Sequence, residues 1–414
     1  MLPKIRRILL ALTTTILAWA ALSISCEQLA SAALPVTFDG QWHWTDMPGT
    51  ICLDGSATGI AVNAVSSNAK LLIYMEGGGF CTNKATCQTF ASGGAVRSVS
   101  FGQGDFDYWW TTGLGAFTNI NAKAGAPQWA QPTGARGIFD RSNPANPFQH
   151  YNYVYIPYCS GDLHQGARQD TTSLNPLRVP SQSYHFGYTN FGILAGQVQQ
   201  TFPAPPAIVL TGESAGGFGA YYNFGQLRAL YSILIRITVI DDSGVPFWTG
   251  DEGWFPRRGY LMFPGTNPNV PSYIEDWMAD AWGLDFTHPL AVLPVTRLQA
   301  YRPIYPQQSV FNWFVNTNLG DTFGVLTAND DALITANFNF VDPPGHPSVQ
   351  DGFADFQLFA ATGKINVRTF AVTSTGQRDT SSLPWNRNHT FLSDDIASLQ
   401  ANGVLNWLTT QFNL

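Results

Sequence analysis

The sequence predicts an α/β fold: a mostly parallel central sheet with helices on both faces and an aromatic-rich lid inserted past its middle. Three observations carry this. Short apolar, β-branched runs recur along the chain, helical stretches separate many of them, and one segment rich in Trp, Pro and Tyr interrupts the alternation. Strands separated by helices require crossovers, which favour parallel pairing with both sheet faces covered.

Taken in order, the first element is an export signal. Lys4, Arg6 and Arg7 precede an apolar run from Ile8 to Ile24, and small residues around Ala30-Ser31-Ala32 follow. That is the tripartite pattern of a signal peptide over residues 1–32. A retained anchor is the weaker reading, because the run is near the lower limit for spanning a bilayer. Cys26, after Leu22-Ser23-Ile24-Ser25, loosely matches a lipoprotein box and leaves lipidation open. The expected location is therefore secreted or periplasmic, with no membrane contact unless Cys26 is lipidated.

Removing the leader changes the cysteine arithmetic. The chain has 5 cysteines, and cleavage after Ala32 leaves Cys52, Cys81, Cys87 and Cys159, an even set in an oxidising compartment. Three pairings are possible. Cys81 and Cys87 need only a local turn, which leaves Cys52 with Cys159 across a long loop. Loop-closure entropy would make these worth about 2.4 and about 4.7 kcal/mol. A zinc site is disfavoured because no histidine stands at finger-like spacing from these cysteines.

Residues 33–414 read as one domain, since no repeat, low-complexity tract or polar linker divides them. Strands are expected at 71–74, 153–157, 207–210, 233–240, 323–326 and 365–372. Helices are expected at 215–231, 272–283, 307–317 and 394–412. The stretch from about 245 to 321 is the lid.

Composition narrows the partners. Twenty-one Lys and Arg stand against 28 Asp and Glu, a formal charge of −7 that excludes a nucleic-acid binder with a broad basic face. Charged residues are only 12% of the chain while aromatics are 14%. Such a surface suits a neutral or esterified carbohydrate better than a free polyanion. A monomer is expected.

The chemistry begins at Gly212-Glu213-Ser214-Ala215-Gly216, a G-x-S-x-G segment between an apolar strand and a helix. Small residues around Ser214 permit the sharp turn that pushes a nucleophilic hydroxyl outward, toward the positive end of the helix dipole. Glu76-Gly77-Gly78-Gly79-Phe80-Cys81 also follows a strand. Consecutive glycines let backbone amides approach a substrate oxygen, as an oxyanion hole requires beside the amide of Ala215. A phosphate loop is disfavoured because no G-K-[ST] follows. A serine nucleophile needs a base, and the base an orienting carboxylate. In α/β-hydrolases the chain order is Ser, acid, His. His389 lies between the last expected strand and the last helix, where that base belongs; His288 sits in the lid and His346 in a Pro-rich run. Asp331 is the expected acid, with its neighbour Asp330 the alternative and Asp342, Asp351 and Asp355 weaker ones. Asp241 and Asp242 end another strand and read as loop-orienting residues. The sequon Asn388-His389-Thr390 reads as accidental, since a glycan there would obstruct the base.

With these residues in view, the chain resembles the pectin acetylesterase family, which includes the Notum carboxylesterases of animals. The resemblance rests on Cys52-Leu53-Asp54-Gly55-Ser56, on Glu76 to Cys81, on Asn146-Pro147 through Tyr158-Cys159-Ser160-Gly161-Asp162, and on Gly212 to Gly217. It implies an α/β-hydrolase-like fold, a Ser214–His389–Asp331 triad, oxyanion donors at the amides of Gly78, Gly79 and Ala215, and bridges Cys81–Cys87 and Cys52–Cys159, with no metal or organic cofactor. Ile334 stands where the family has Gln three residues after its acid. Cysteines late in the chain, present in plant members, are missing, so it looks like a simpler bacterial-type member. The resemblance implies a secreted serine esterase cleaving acetyl or other short acyl esters, on a polysaccharide such as pectin or xylan. The alternatives are a carboxylesterase for longer acyl chains and a non-catalytic polysaccharide-binding protein on the same fold. Asp105 to Trp110, and Trp248, Trp254 and Tyr260, are candidate sugar-stacking groups, with core packing the commoner role of aromatics. Asp162 and His164 are read as loop ties rather than sugar contacts.

Overall fold

The computed structural model describes residues 33–81, 87, 99–112, 137–170, 183–244, 282, 314–329, 331, 334, 353–354, 356–357, 360–361, 364–372, 389–392, 394, 396–412 and 414. The expected signal peptide lies outside them, as do most of the expected lid, Asp330, Asp342, Asp351, Asp355, His288 and His346.

Eight strands form one sheet: β1 (Trp42–Met47), β2 (Thr58–Asn63), β3 (Leu71–Met75), β4 (Asn152–Ile156), β7 (Ile208–Glu213), β8 (Ile237–Asp242), β9 (Thr322–Ala328) and β10 (Val367–Val372). Their spatial order is β1-β2-β4-β3-β7-β8-β9-β10, while β5 (Arg168–Asp170) and β6 (Ser183–His185) make a separate hairpin. From β4 to β10 all neighbours are parallel; β1–β2 and β2–β4 are antiparallel. β3, β4, β7, β8 and β9 are buried along their whole length on both faces, as helical crossovers require, while β10 at the edge is half-buried over its middle four residues. Alternate residues face opposite layers. Leu71, Ile73 and Met75 join Ile208, Leu210 and the helices α2 (Gly187–Thr201) and α3 (Ala215–Leu230). Leu72, Tyr74 and Val209 join the layer holding α5 (Val404–Phe412), with α4 (Ile396–Ala401) and α1 (Gln103–Thr112).

The strand order reverses between β3 and β7, and the carboxyl ends of strands at such a switch point are where open α/β sheets bind ligands. Both bridges exist, Cys52–Cys159 and Cys81–Cys87. They brace the segments that follow β3 and β4.

Two differences from the sequence expectation have physical causes. The run Ile233-Leu234-Ile235, expected as strand, is a turn, because the Arg228 guanidinium gathers the carbonyls of Tyr231, Ser232 and Ile235. The last helix is two, broken at Gly403, whose φ of +83° ends one helix before the next begins. The expected helix at 272–283 lies outside the described residues apart from Trp282.

Candidate active site

Ser214 sits between β7 and α3 at φ +56°, ψ −120°, a left-handed strain uncommon for a residue with a side chain. Its neighbours explain how the turn is tolerated. A Cβ on Gly216 would stand 2.0 Å from the Met75 carbonyl oxygen, so only glycine lets α3 start this close to the end of β3. The glycine loop presses on the same turn, for a Cβ on Gly77 would lie 3.2 Å from the Ser214 Cβ. Gly78 and Gly79 take φ of +152° and +72°, angles that favour glycine. The amides expected to bind an oxyanion therefore belong to a loop in contact with the serine turn.

Side chains around the loop hold it, and sequence reasoning missed the role of Tyr158 among them. The Tyr158 hydroxyl donates to the Gly79 carbonyl at 2.8 Å and accepts the Leu163 amide at 2.7 Å. His164 Nε2 lies 2.8 Å from the Glu76 carbonyl; a carbonyl only accepts, so Nε2 carries the proton. Burial pushes the His164 pKa down to about 3, keeping the ring neutral. Asp162 accepts the Ser160 hydroxyl and the amides of Gly166 and Gly187, while burial raises its pKa to about 6. Asp162 and His164 thus tie loops together, as their sequence position suggested.

Asp331 and His389 meet. Asp331 Oδ2 stands 2.8 Å from His389 Nδ1, with the two side chains 0% and 2% exposed, and Oδ1 accepts the Ile334 amide at 2.9 Å. That amide is backbone, so Ile at position 334 keeps the contact. A carboxylate facing Nδ1 puts the ring proton there, the tautomer in which Nε2 is the acceptor nitrogen. The Ser214 hydroxyl and the His389 ring make no direct hydrogen bond among the described residues. They are joined through Asp242 instead. Its carbonyl accepts the Ser214 amide at 2.7 Å, and its Oδ2 accepts the amides of Phe391 and Leu392 at 2.7 and 2.8 Å. Burial, then the neighbouring charge of Glu213, holds the Asp242 pKa well above the carboxylate range. Glu213 is its register partner across β7 and β8 and accepts the Tyr74 hydroxyl at 2.9 Å.

The aromatic residues resolve differently. Phe106 and Trp110 pack against Trp42, and Phe106 also against Trp44 and Tyr155, so this part of the Asp105–Trp110 cluster is core rather than a sugar platform. Trp248, Trp254 and Tyr260 lie outside the described residues. Cys81, Cys87 and His185 come within metal-ligand reach of one another, but both sulfurs are spent in a disulfide and His185 Nδ1 bonds the Ser160 carbonyl.

A mostly parallel sheet with a strained serine on the strand–turn–helix elbow at its carboxyl edge defines an α/β-hydrolase. The family resemblance read from the motifs is also borne out: the pectinacetylesterase family model matches residues 118–251. Palmitoleoyl-protein carboxylesterase notum2 of Xenopus laevis is 23% identical over 230 residues, 52% of this chain and 37% of that protein. Palmitoleoyl-protein carboxylesterase NOTUM of Schmidtea mediterranea is 28% identical over 182 residues, 43% of this chain and 28% of the relative. The chain thus spans about a third of the length of these curated relatives. A crystal structure of the Wnt deacylase Notum from Drosophila aligns with TM-score 0.49 at 20% identity, over 79% of this chain and 83% of that one. Among the described residues no helix is long and apolar enough to cross a membrane.

Proposed function

We propose that the protein is a serine esterase that hydrolyses acetyl or other short acyl esters on a polysaccharide after export. Its family match and carboxylesterase relatives support ester hydrolysis. The observation that carries the catalytic reading is the buried Asp331–His389 pair, roped through Asp242 to the strained Ser214 turn.

In this mechanism His389 Nε2 takes the Ser214 proton as the hydroxyl oxygen attacks the ester carbonyl. Asp331 keeps the ring in the productive tautomer and stabilises the imidazolium that forms. The amides of Gly78, Gly79 and Ala215 receive the oxyanion, aided by the start of α3. Collapse expels the alcohol, which takes the proton from His389. Water, deprotonated by the same ring, then releases the acid and restores Ser214.

Ser214→Ala should abolish p-nitrophenol release from p-nitrophenyl acetate without unfolding the protein; retained turnover would refute the assignment. The similarity to palmitoleoyl-protein carboxylesterases favours a second reading, cleavage of a longer acyl ester. Acetate release from acetylated pectin or xylan, set against p-nitrophenyl esters of rising chain length, separates the two. Labelling of Ser214 by a serine-directed phosphonate discriminates both from a non-catalytic binder.

A further inference from the structure

Soluble proteins seldom gather protruding aliphatic side chains in one place. Among the described residues six large apolar side chains are exposed, and five of them, Leu230 at the end of α3 with Ile233, Leu234, Leu319 and Ile365 on the turns that follow helices, lie just before β8, β9 and β10. Ile233 and Leu234 are 88% and 90% exposed, and Ile365 is 73% exposed. Since these strands are adjacent and parallel, the turns share the amino-terminal end of the sheet.

The turns are held on a rigid frame. Arg228 ties Tyr231, Ser232 and Ile235 through their carbonyls and pairs with Asp321 at 3.1 Å. The Asn366 amide group donates to the carbonyls of Val315 and Asn318, and Lys364 bonds Asn316. The aliphatic tips are therefore presented, not loosely dangling.

Charge sets this end apart from the rest of the chain. Segments 228–237, 314–322 and 364–368 carry Arg228, Arg236, Lys364 and Arg368 against Asp321 alone, a local excess of +3 in a protein of net charge −7. Asp321 is itself buried against Arg228. We propose that this end of the sheet is a peripheral membrane-contact surface that seats on an anionic lipid bilayer. Aliphatic tips enter the acyl boundary while the surrounding cations meet the headgroup phosphates, the two contributions that interfacial binding combines.

Other occupants fit less well. A second copy docked face to face would set one net positive surface against another. A soluble polyanion would use the charges and leave the aliphatic tips in water. An acidic protein would have to supply sockets for protruding rather than recessed side chains. Two further features agree with a membrane. The Leu34 amide bonds Thr201 Oγ1 at 2.8 Å, and Thr201 ends α2 just before β7, so the amino-terminal segment joins the domain at this same end. Ser214 and Asp331 follow the opposite ends of their strands, roughly 20 Å away along a seven-residue strand, so a docked molecule turns its site toward the solvent. The surface stands independently of the proposed catalysis.

The test is co-sedimentation of the exported protein with phosphatidylcholine vesicles, with and without phosphatidylglycerol. The protein carries Cys26→Ser to prevent lipid attachment, and its mass establishes whether the leader remains. Binding is expected only with phosphatidylglycerol and should weaken with salt. It should fall at least about tenfold in Ile233→Ser/Leu234→Ser and, separately, in Arg236→Gln/Lys364→Gln. All these positions are exposed or half-buried and distant from Ser214, so thermal unfolding and ester hydrolysis should match the parent. Failure to bind these vesicles overturns the proposal, as does binding that survives either pair of substitutions. Retention on dextran sulfate unaffected by the Ile233/Leu234 change, in a protein that ignores vesicles, would make this a polyanion site. A dimer in sedimentation velocity that the same change dissolves would make it a self-association face.

Discussion

Removing the Asp242 carboxylate should disconnect the proposed nucleophile from its base without touching either. Its Oδ2 accepts two buried amides, those of Phe391 and Leu392, immediately beyond His389. Asp242→Ala leaves both donors without an acceptor in a site that is 0% exposed at Asp242 itself. Each orphaned amide costs about 1–3 kcal/mol, so the variant should lose roughly 2–6 kcal/mol, a large share of the ~5–15 kcal/mol available to a folded domain. Activity should fall further than stability alone requires, because a shift of about 1 Å in a catalytic group can cost about 100-fold. Asp242→Asn separates the possible reasons. Its side-chain oxygen can still accept both amides and its NH2 can donate to Ser243 Oγ, mimicking the protonated acid that burial and Glu213 favour. Asn should therefore retain most activity and stability where Ala loses both. Urea unfolding and p-nitrophenyl acetate kinetics measure the two effects. An Ala variant with parental midpoint and kcat would show that the Asp242 side chain does not hold the histidine loop, and an Asn variant as damaged as Ala would show that its charge, not its acceptor, matters.

Three other outcomes are expected. Tyr158→Phe removes the hydroxyl that fixes the Gly79 carbonyl; kcat on p-nitrophenyl acetate should drop about tenfold or more with KM little changed, since the loop's amides act on the transition state. Gly216→Ala forces a methyl to 2.0 Å from backbone oxygen, an overpacking that should cost about 3 kcal/mol or more and show as a lowered melting temperature with lost turnover. Asp241 is buried, and burial raises its pKa to about 8 despite a hydrogen bond from the Gly244 amide. A raised folded-state pKa means that the native protein holds the extra proton, so this contribution is complete below about pH 4 and disappears as pH climbs toward 8, by up to about 1.4 kcal/mol per unit. Asp241→Asn should flatten the fall in stability across that window, and an unchanged slope in urea melts at several pH values would contradict it.

What could be read in the sequence was whatever depends on neighbours along the chain. The Ser214 turn is spelled out by Gly212, Ala215 and Gly216, and the Cys81–Cys87 bridge spans 6 residues, so local sterics and loop length sufficed for both. The parallel core was legible because Leu71–Met75 and the opening Ile-Val-Leu of Ile208–Glu213 are buried on both faces and apolar. Helix α2 was not. Its fifteen residues contain no charge, two interior glycines and a Thr-Asn pair near the start, a composition that argues against a helix, and it forms because Phe191, Leu194 and Val198 bury against α3 and the sheet. The edge pair β1–β2 escaped for the related reason that its pairing, Trp42 with Asn63 onward, is decided by the partner strand. Choosing between Asp330 and Asp331 was beyond periodicity, since adjacent carboxylates differ only in the direction they face; in the folded chain Asp331 meets His389, 58 positions away. Asp242 shows the same limit most sharply. Its ordinary place at a strand end says nothing of amides 149 and 150 residues downstream, yet register beside Glu213 and descent of the histidine loop onto the sheet edge make it the joint between the two halves of the proposed site. A triad assembled from segments this far apart needs such a joint, because without one the entropy of the long intervening chain works against every short distance that catalysis requires.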